Sequence, residues 1–130
     1  MKTSELMQGD IILYEYEGQK IPARVVEIYR YSVLVESVSG EYEPIEIDED
    51  KIFPVEPTSE ILEKNGFERG SDNLFSYGRG MYVMMWSKGH YSVGQIFGNW
   101  SAFVEFAEIR FFHELQHALR LCGIEKEITI

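Results

Sequence analysis

The first half of the chain is written in period-two apolar runs that glycine turns cut short. DIILYEY places Ile12, Tyr14 and Tyr16 on one face, with Asp10-Ile11 leading in, and Glu17-Gly18-Gln19 turns the chain. IPARVVEIYRY alternates Ile21, Ala23 and Val25, then continues with Val26 and Ile28 after a bulge. SVLVESV follows, Ser39-Gly40 turns again, and IEI and KIFPV supply one or two further short strands. Successive side chains of a strand point to opposite faces, so each run buries one face and wets the other. Short strands joined by tight turns pair with their sequence neighbours. The pattern predicts an antiparallel sheet that closes as a small barrel.

MQGDIILYEYEGQKIPARVVEI, with its Gly-Asp step, strand, glycine turn and Val/Ile-rich strand, resembles the opening of SH3-like barrels of the KOW type. Many such modules bind nucleic acid or protein, and the resemblance implies a binding role of one of these kinds or a purely structural barrel.

Pro54 and Pro57, in FPVEPTSE, interrupt the strand pattern and divide the chain into residues 1–57 and 58–130. Thr58 has the side chain of an N-cap, TSEILEKNGF turns Ile61, Leu62 and Phe67 inward, and Asn65-Gly66 stops a short helix. A β-meander follows, in which LFSY, MYVMMW, YSVGQIF and AFVEFAEI are separated by turns at Gly78-Arg79-Gly80, Ser87-Lys88-Gly89 and Gly98-Asn99. Alternation puts Phe103, Glu105 and Ala107 on one side of the last strand and Val104, Phe106 and Glu108 on the other. MYVMMW is apolar on both faces, as a central strand is; a homodimer that covers one face satisfies the same pattern. The stripe Tyr82, Met84, Trp86 is assigned to the core rather than to a ligand platform. A closing helix from about Phe111 to Cys122 stops at Gly123, and EKEITI adds a last short strand. The expected class is α+β: an SH3-like antiparallel β-subdomain, a short helix, a β-meander and a C-terminal amphipathic helix.

Charge narrows the choice of partner. The formal net charge is −10, and residues 1–57 carry five Lys/Arg against thirteen Asp/Glu, a net of −8. EYEPIEIDED holds six acids in ten residues and no base. Such a surface repels phosphate backbones and favours a basic protein partner, divalent cations, or solubility alone. The acidic run lacks EF-hand spacing and the glycine of its sharp turn, so no calcium loop is expected. YGRGM lacks the context of a phosphate loop. Cys122 is the sole cysteine, which excludes an internal disulfide and fits a reducing compartment; its place on the apolar side of the closing helix predicts a buried, inert thiol. MKTSELMQGD has no apolar segment of a signal peptide, and no run reaches the roughly 20 apolar residues of a membrane span. A cytoplasmic protein without membrane contact is the expectation.

The sharpest motif is His113-Glu114-Leu115-Gln116-His117, an H-E-x-x-H sequence on the closing helix. On a helix the two histidines point the same way and can share a zinc ion, while the glutamate serves as general base. Catalytic zinc needs a third protein ligand, and only thirteen residues follow His117. Arg120 occupies the position where the extended metzincin pattern has glycine, no third histidine follows, and a cation on the ligand stripe opposes a dication. His90 lies upstream in a turn. On the helical wheel Phe111, Phe112, Leu115, Ala118, Leu119, Leu121 and Cys122 share one side, and His113, Gln116, His117 and Arg120 the other. The expectation is an amphipathic closing helix with two surface histidines and no catalytic, metal or cofactor residues. The alternative is a zinc hydrolase using His113, Glu114 and His117.

In four stretches taken in order, MKTSELMQGDIILY, IEIDEDKIFPVEPTSEILEKNGF, an aromatic-rich middle and HELQHALRLCGIEKEITI, the chain resembles a group of small uncharacterised proteins from gut-type bacteria and their phages or mobile elements. That group's closing helix keeps H-x-L-Q and then G-x-x without requiring Glu114 or His117, which implies that H-E-x-x-H is a chance overlay. The expected function is a non-enzymatic acidic interaction module, in its strong form a nucleic-acid mimic; the resemblance implies an accessory protein of a phage or mobile element. A KOW-like nucleic-acid-binding barrel is the other alternative.

Overall fold

The computed structural model describes residues 1–70, 73–78, 80–97, 102–124 and 130. It forms two units, Met1–Val55 with Ile130, and Glu56–Thr129. Both sheets are antiparallel and helices are few, so the molecule is mostly β within an α+β mix. Among the described residues no helix is long and apolar enough to cross a membrane.

The first unit holds β1 (Ile11–Tyr16), β2 (Gln19–Ile28), β3 (Ser32–Ser37), β4 (Ile45–Asp48) and β5 (Ile52–Phe53), with 3₁₀ turns at Thr3–Glu5 and Glu49–Lys51. The strand order is β4-β3-β2-β1-β5, so β1 has partners on both edges and the sheet curls. The β1–β2 hairpin closes on Glu17 (φ 50°) and Gly18 (φ 77°), with Tyr16 opposite Gln19. Two positive φ values make this a type I′ turn, whose twist matches that of paired strands. The expected bulge lies between Val25 and Glu27. Beyond it Ile28 is 36% exposed, so the alternation does not return inward.

Ile12, Tyr14, Ile21, Ala23, Val25, Val33, Val35, Ile47 and Ile52 form the core of this unit. Val25, Val33 and Val35 are almost wholly removed from solvent, each burial contributing roughly 1.5–3 kcal/mol. The Gly-Asp step has a structural task. Asp10 Oδ2 accepts from the Met7 N–H at 2.8 Å. The Asp10 N–H donates to the Met7 carbonyl, while the Asp10 carbonyl accepts from Val25. Asp10 is buried, and these bonds tie the approach to β1 onto β2.

The second unit begins with α1 (Ser59–Lys64), capped by Thr58, whose side chain accepts from the Ile61 N–H at 3.3 Å. Gly66 donates to Glu63 and Phe67 to Leu62, the paired bonds of a Schellman stop. β6 (Glu68–Arg69), β7 (Leu74–Tyr77), β8 (Met81–Ser87), β9 (His90–Phe97) and β10 (Ala102–Ile109) follow, and α2 (Phe112–Leu121) closes the unit. The order β10-β9-β8-β7-β6 makes MYVMMW the central strand. The turns at Arg79 and at Gly98-Asn99, and the strand expected in EKEITI, lie outside the described residues.

Two face assignments change. The buried side of β8 carries Met81 and Val83, register partners of Tyr77 and of Phe75 and Val93; Tyr82 and Met84 lie on the other side, and Trp86 is 55% exposed. In β10 the register shifts between Glu105 and Ala107. Glu105 pairs with Gly94, but Ala107 pairs with Val93 and Ile109 with Tyr91, on the core side. Phe106 is the extra residue, and a bulge of this kind breaks period-two alternation. Across the opposite face Trp86 Nε1 donates to Ser92 Oγ at 2.7 Å, and Ser92 Oγ donates to Glu105 Oε1 at 2.6 Å, joining three strands by side chains.

Gly94 sits where β9 and β10 approach too closely for a side chain. A Cβ there meets the Val104 carbonyl oxygen and, at 3.0 Å, the Phe103 ring. Backbone cannot yield as a flexible side chain can. Gly94→Ala is expected to lower unfolding stability by about 1–3 kcal/mol, the usual range for overpacking. A urea melt checks it; an unchanged midpoint would show that β10 shifts freely.

Candidate functional site

The H-E-x-x-H residues are not arranged as the helical wheel implies. His113 is 3% exposed and Gln116 5%, so this side of α2 is not a solvated face. The His113 and His117 rings are edge-on with centroids 5.6 Å apart, and Phe111 stacks on His113 at 6.1 Å. Burial of the imidazole follows tertiary packing, which a single-helix projection omits.

Glu114 has a local duty. Its Oε1 accepts from the backbone N–H groups of Arg110 and Phe111, both at 3.0 Å. Glu114 is the third residue of α2, and its carboxylate closes the first turn as the glutamate of a capping box does. The reciprocal half is missing, because the phenyl ring of Phe111 offers no acceptor. This capping role of Glu114 was not anticipated from the sequence. His90 Nε2 lies 3.1 Å from Glu108 Oε1 across β9 and β10. Among the described residues no three His, Cys, Asp or Glu side chains gather as a metal-ligand set. Cys122 is exposed rather than buried, because it is the C-cap of α2, where the apolar stripe has ended.

The first unit contains a cavity of about 320 Å³ lined by Tyr14, Tyr16, Glu41, Tyr42, Glu43, Pro44 and Ile45. That volume lies at the small end of ligand pockets. Tyr14 and Tyr16 are two apart on β1 and share a face, which passes from core to surface: Tyr14 is 1% exposed and Tyr16 41%. Tyr42 comes from the loop before β4, its ring edge-on to Tyr16 with centroids 6.1 Å apart. Ser37, at the end of β3, holds that loop. Its hydroxyl accepts from the Tyr42 N–H at 3.2 Å and donates to the Tyr42 carbonyl at 3.3 Å. Glu41 and Glu43 are exposed on either side of Tyr42, and no Lys or Arg occurs between Arg30 and Lys51.

The pocket therefore combines three aromatic rings with two carboxylates. Aromatic faces carry negative quadrupole potential and attract cations, as do carboxylates. A second cavity, of about 350 Å³ beside Tyr77, Met81, Gln95 and Cys122, has no charged side chain among its described lining. Sequence reasoning placed Tyr14 and Tyr16 on one face but did not connect them with Tyr42. The available signal was a tyrosine flanked by acids in a run otherwise read as solvated. Comparison with protein-family models, curated proteins and solved structures finds no match for the chain.

Burial pushes the Tyr14 phenol above its ordinary range, and the neighbouring Tyr42 and Tyr16 phenols add to the rise. A raised folded value means that the neutral phenol's contribution is complete below the unfolded value of about 10 and is lost as pH climbs through the folded one. As pH rises from about 10 towards the folded value, wild-type stability should fall more steeply than that of Tyr14→Phe, as measured by urea melts at several alkaline pH values; parallel curves throughout that interval would contradict the burial. For α2, Glu114→Ala should cost about 0.5–2 kcal/mol, and Glu114→Gln, which keeps an acceptor oxygen, clearly less. Thermal unfolding of both variants checks the cap, and equal losses would contradict it.

Proposed function

We propose that the protein is a non-enzymatic interaction module whose acidic N-terminal unit is an SH3-like barrel that meets a basic surface on another protein. The tyrosine-walled cavity, whose lining includes Glu41 and Glu43, carries this reading. A recess of aromatic rings at the surface of a small β-unit suits capture of another chain's side chains, because aromatic anchors in pockets dominate protein interfaces. Support for the barrel comes from β1, which pairs with both β2 and β5 and so brings the first and last strands of the unit together.

The charge distribution supports the choice of partner. Residues 1–57 carry a net of −8, a field that accelerates encounter with a basic surface and repels nucleic acid. Glu114, occupied at a helix cap, and His90, paired with Glu108, favour this reading over a zinc hydrolase.

A peptide rich in Lys and Arg should bind at low ionic strength, with affinity falling steeply as salt rises. Reversing Glu41, Glu43, Glu46 and Asp48 to Lys should abolish binding. Reversing Glu60 and Glu63, on α1 of the other unit, should leave most of it. Isothermal titration decides; binding that ignores salt, or absence of binding at low salt, overturns the proposal.

A further inference from the structure

We infer that the Tyr14–Tyr16–Tyr42 pocket is an arginine-reading site, which takes the guanidinium of one arginine of a basic partner protein. The inference rests on the interaction-module reading and adds to it a residue-specific contact.

Four observations on the unit converge. The pocket has a floor and two walls of tyrosine: Tyr14 is buried at the base, and Tyr16 and Tyr42 stand half-exposed at the mouth, 67° apart in ring plane. The two rings are in edge contact with each other, with centroids 6.1 Å apart, and each keeps part of its surface open to a side chain that docks against the pair. Glu41 and Glu43 lie at the same mouth, one on each side of Tyr42 in sequence. The Tyr42 loop is pinned by the two Ser37 bonds, so part of its ordering is done before a ligand arrives. Finally, the unit's own cations already use its aromatic faces in this way: Lys20 Nζ lies 4.3 Å from the Phe53 centroid and Arg30 Cζ 5.2 Å from that of Tyr31.

Arginine fits this set better than lysine for a physical reason. The guanidinium is planar, stacks on aromatic faces, is more weakly hydrated than an ammonium, and presents a fork of donors to carboxylates. A pocket that combines partly exposed tyrosine rings with carboxylates in its lining uses each of those properties. An ammonium offers a compact, strongly hydrated charge, which such an exposed mouth dehydrates poorly. Tyrosine hydroxyls and the Glu41 and Glu43 carboxylates are acceptors for the five guanidinium N–H groups. An apolar or acidic side chain matches the cavity's size but not its charge.

The test uses the full chain and two synthetic peptides that differ only in carrying arginine or lysine at each basic position. Binding is followed by isothermal titration and by NMR of the tyrosine ring resonances. The arginine peptide is expected to bind more tightly and to shift the Tyr16 and Tyr42 rings. Tyr16→Leu and Tyr42→Leu should each weaken it by roughly 2- to 5-fold, the exposed cation–π range, and should erase the preference over lysine. Both rings are substantially exposed, so these variants are expected to fold, and Tyr29→Leu serves as an exposed tyrosine control outside the pocket. Salt-sensitive binding that is equal for the two peptides and unchanged in the leucine variants overturns the arginine site while leaving the acidic-module reading intact. Absence of binding by either peptide at low salt overturns both.

Discussion

The first unit depends on the register of β1. Ile12, Tyr14 and Tyr16 share one face, and that face does two jobs in succession: Ile12 and Tyr14 belong to the core, while Tyr14 and Tyr16 line the pocket. Tyr14 belongs to both. A slip of one residue would turn Leu13 and Glu15 inward and expel the whole set. Burial of Glu15 would then place a carboxylate in the core without a partner, a cost far above that of a mispacked apolar group. The type I′ turn at Glu17-Gly18 and the bonds around Asp10 hold the two ends of the strand against such a slip.

Elsewhere the molecule uses polar side chains to tie down backbone. Asp10 ties the Met7 turn, Ser37 ties the Tyr42 loop, and Glu114 ties the start of α2. Each satisfies backbone groups that regular structure leaves open. In the H-E-x-x-H helix the glutamate of a hydrolase motif and the glutamate of a helix cap fall at the same position. In the structure the Glu114 carboxylate holds two backbone N–H groups at the helix start, as a cap does.

Much of the fold was legible in the sequence. The runs at 10–16, 32–38, 45–47, 74–77 and 102–109 coincide within one residue at either end with β1, β3, β4, β7 and β10, and Thr58 and Gly66 bracket α1. What escaped was anything that depends on a single inserted residue or on a distant neighbour. The bulge at Phe106 reverses the two faces of β10, although nothing in AFVEFAEI marks it. The core face of β8 is Met81 and Val83 rather than Tyr82 and Met84, since both faces are apolar in sequence. His113 reads as a surface residue on the wheel and is buried, because helical periodicity describes one helix and burial describes its surroundings. The pocket was invisible for the same reason: Tyr42 lies 26 positions from Tyr16, and only folding of the sheet brings their rings together.

The sequence by itself determined the antiparallel strands, the short helix, the closing helix and the acidic character of residues 1–57, because alternation, caps, turn glycines and charge are local or additive properties. The tertiary structure decided which face of a two-sided apolar strand is core, which residue of the closing helix is a cap, and which tyrosines stand around one cavity. Those are relations between side chains far apart in the chain, and they exist only after strand register and the bulges in it have been set.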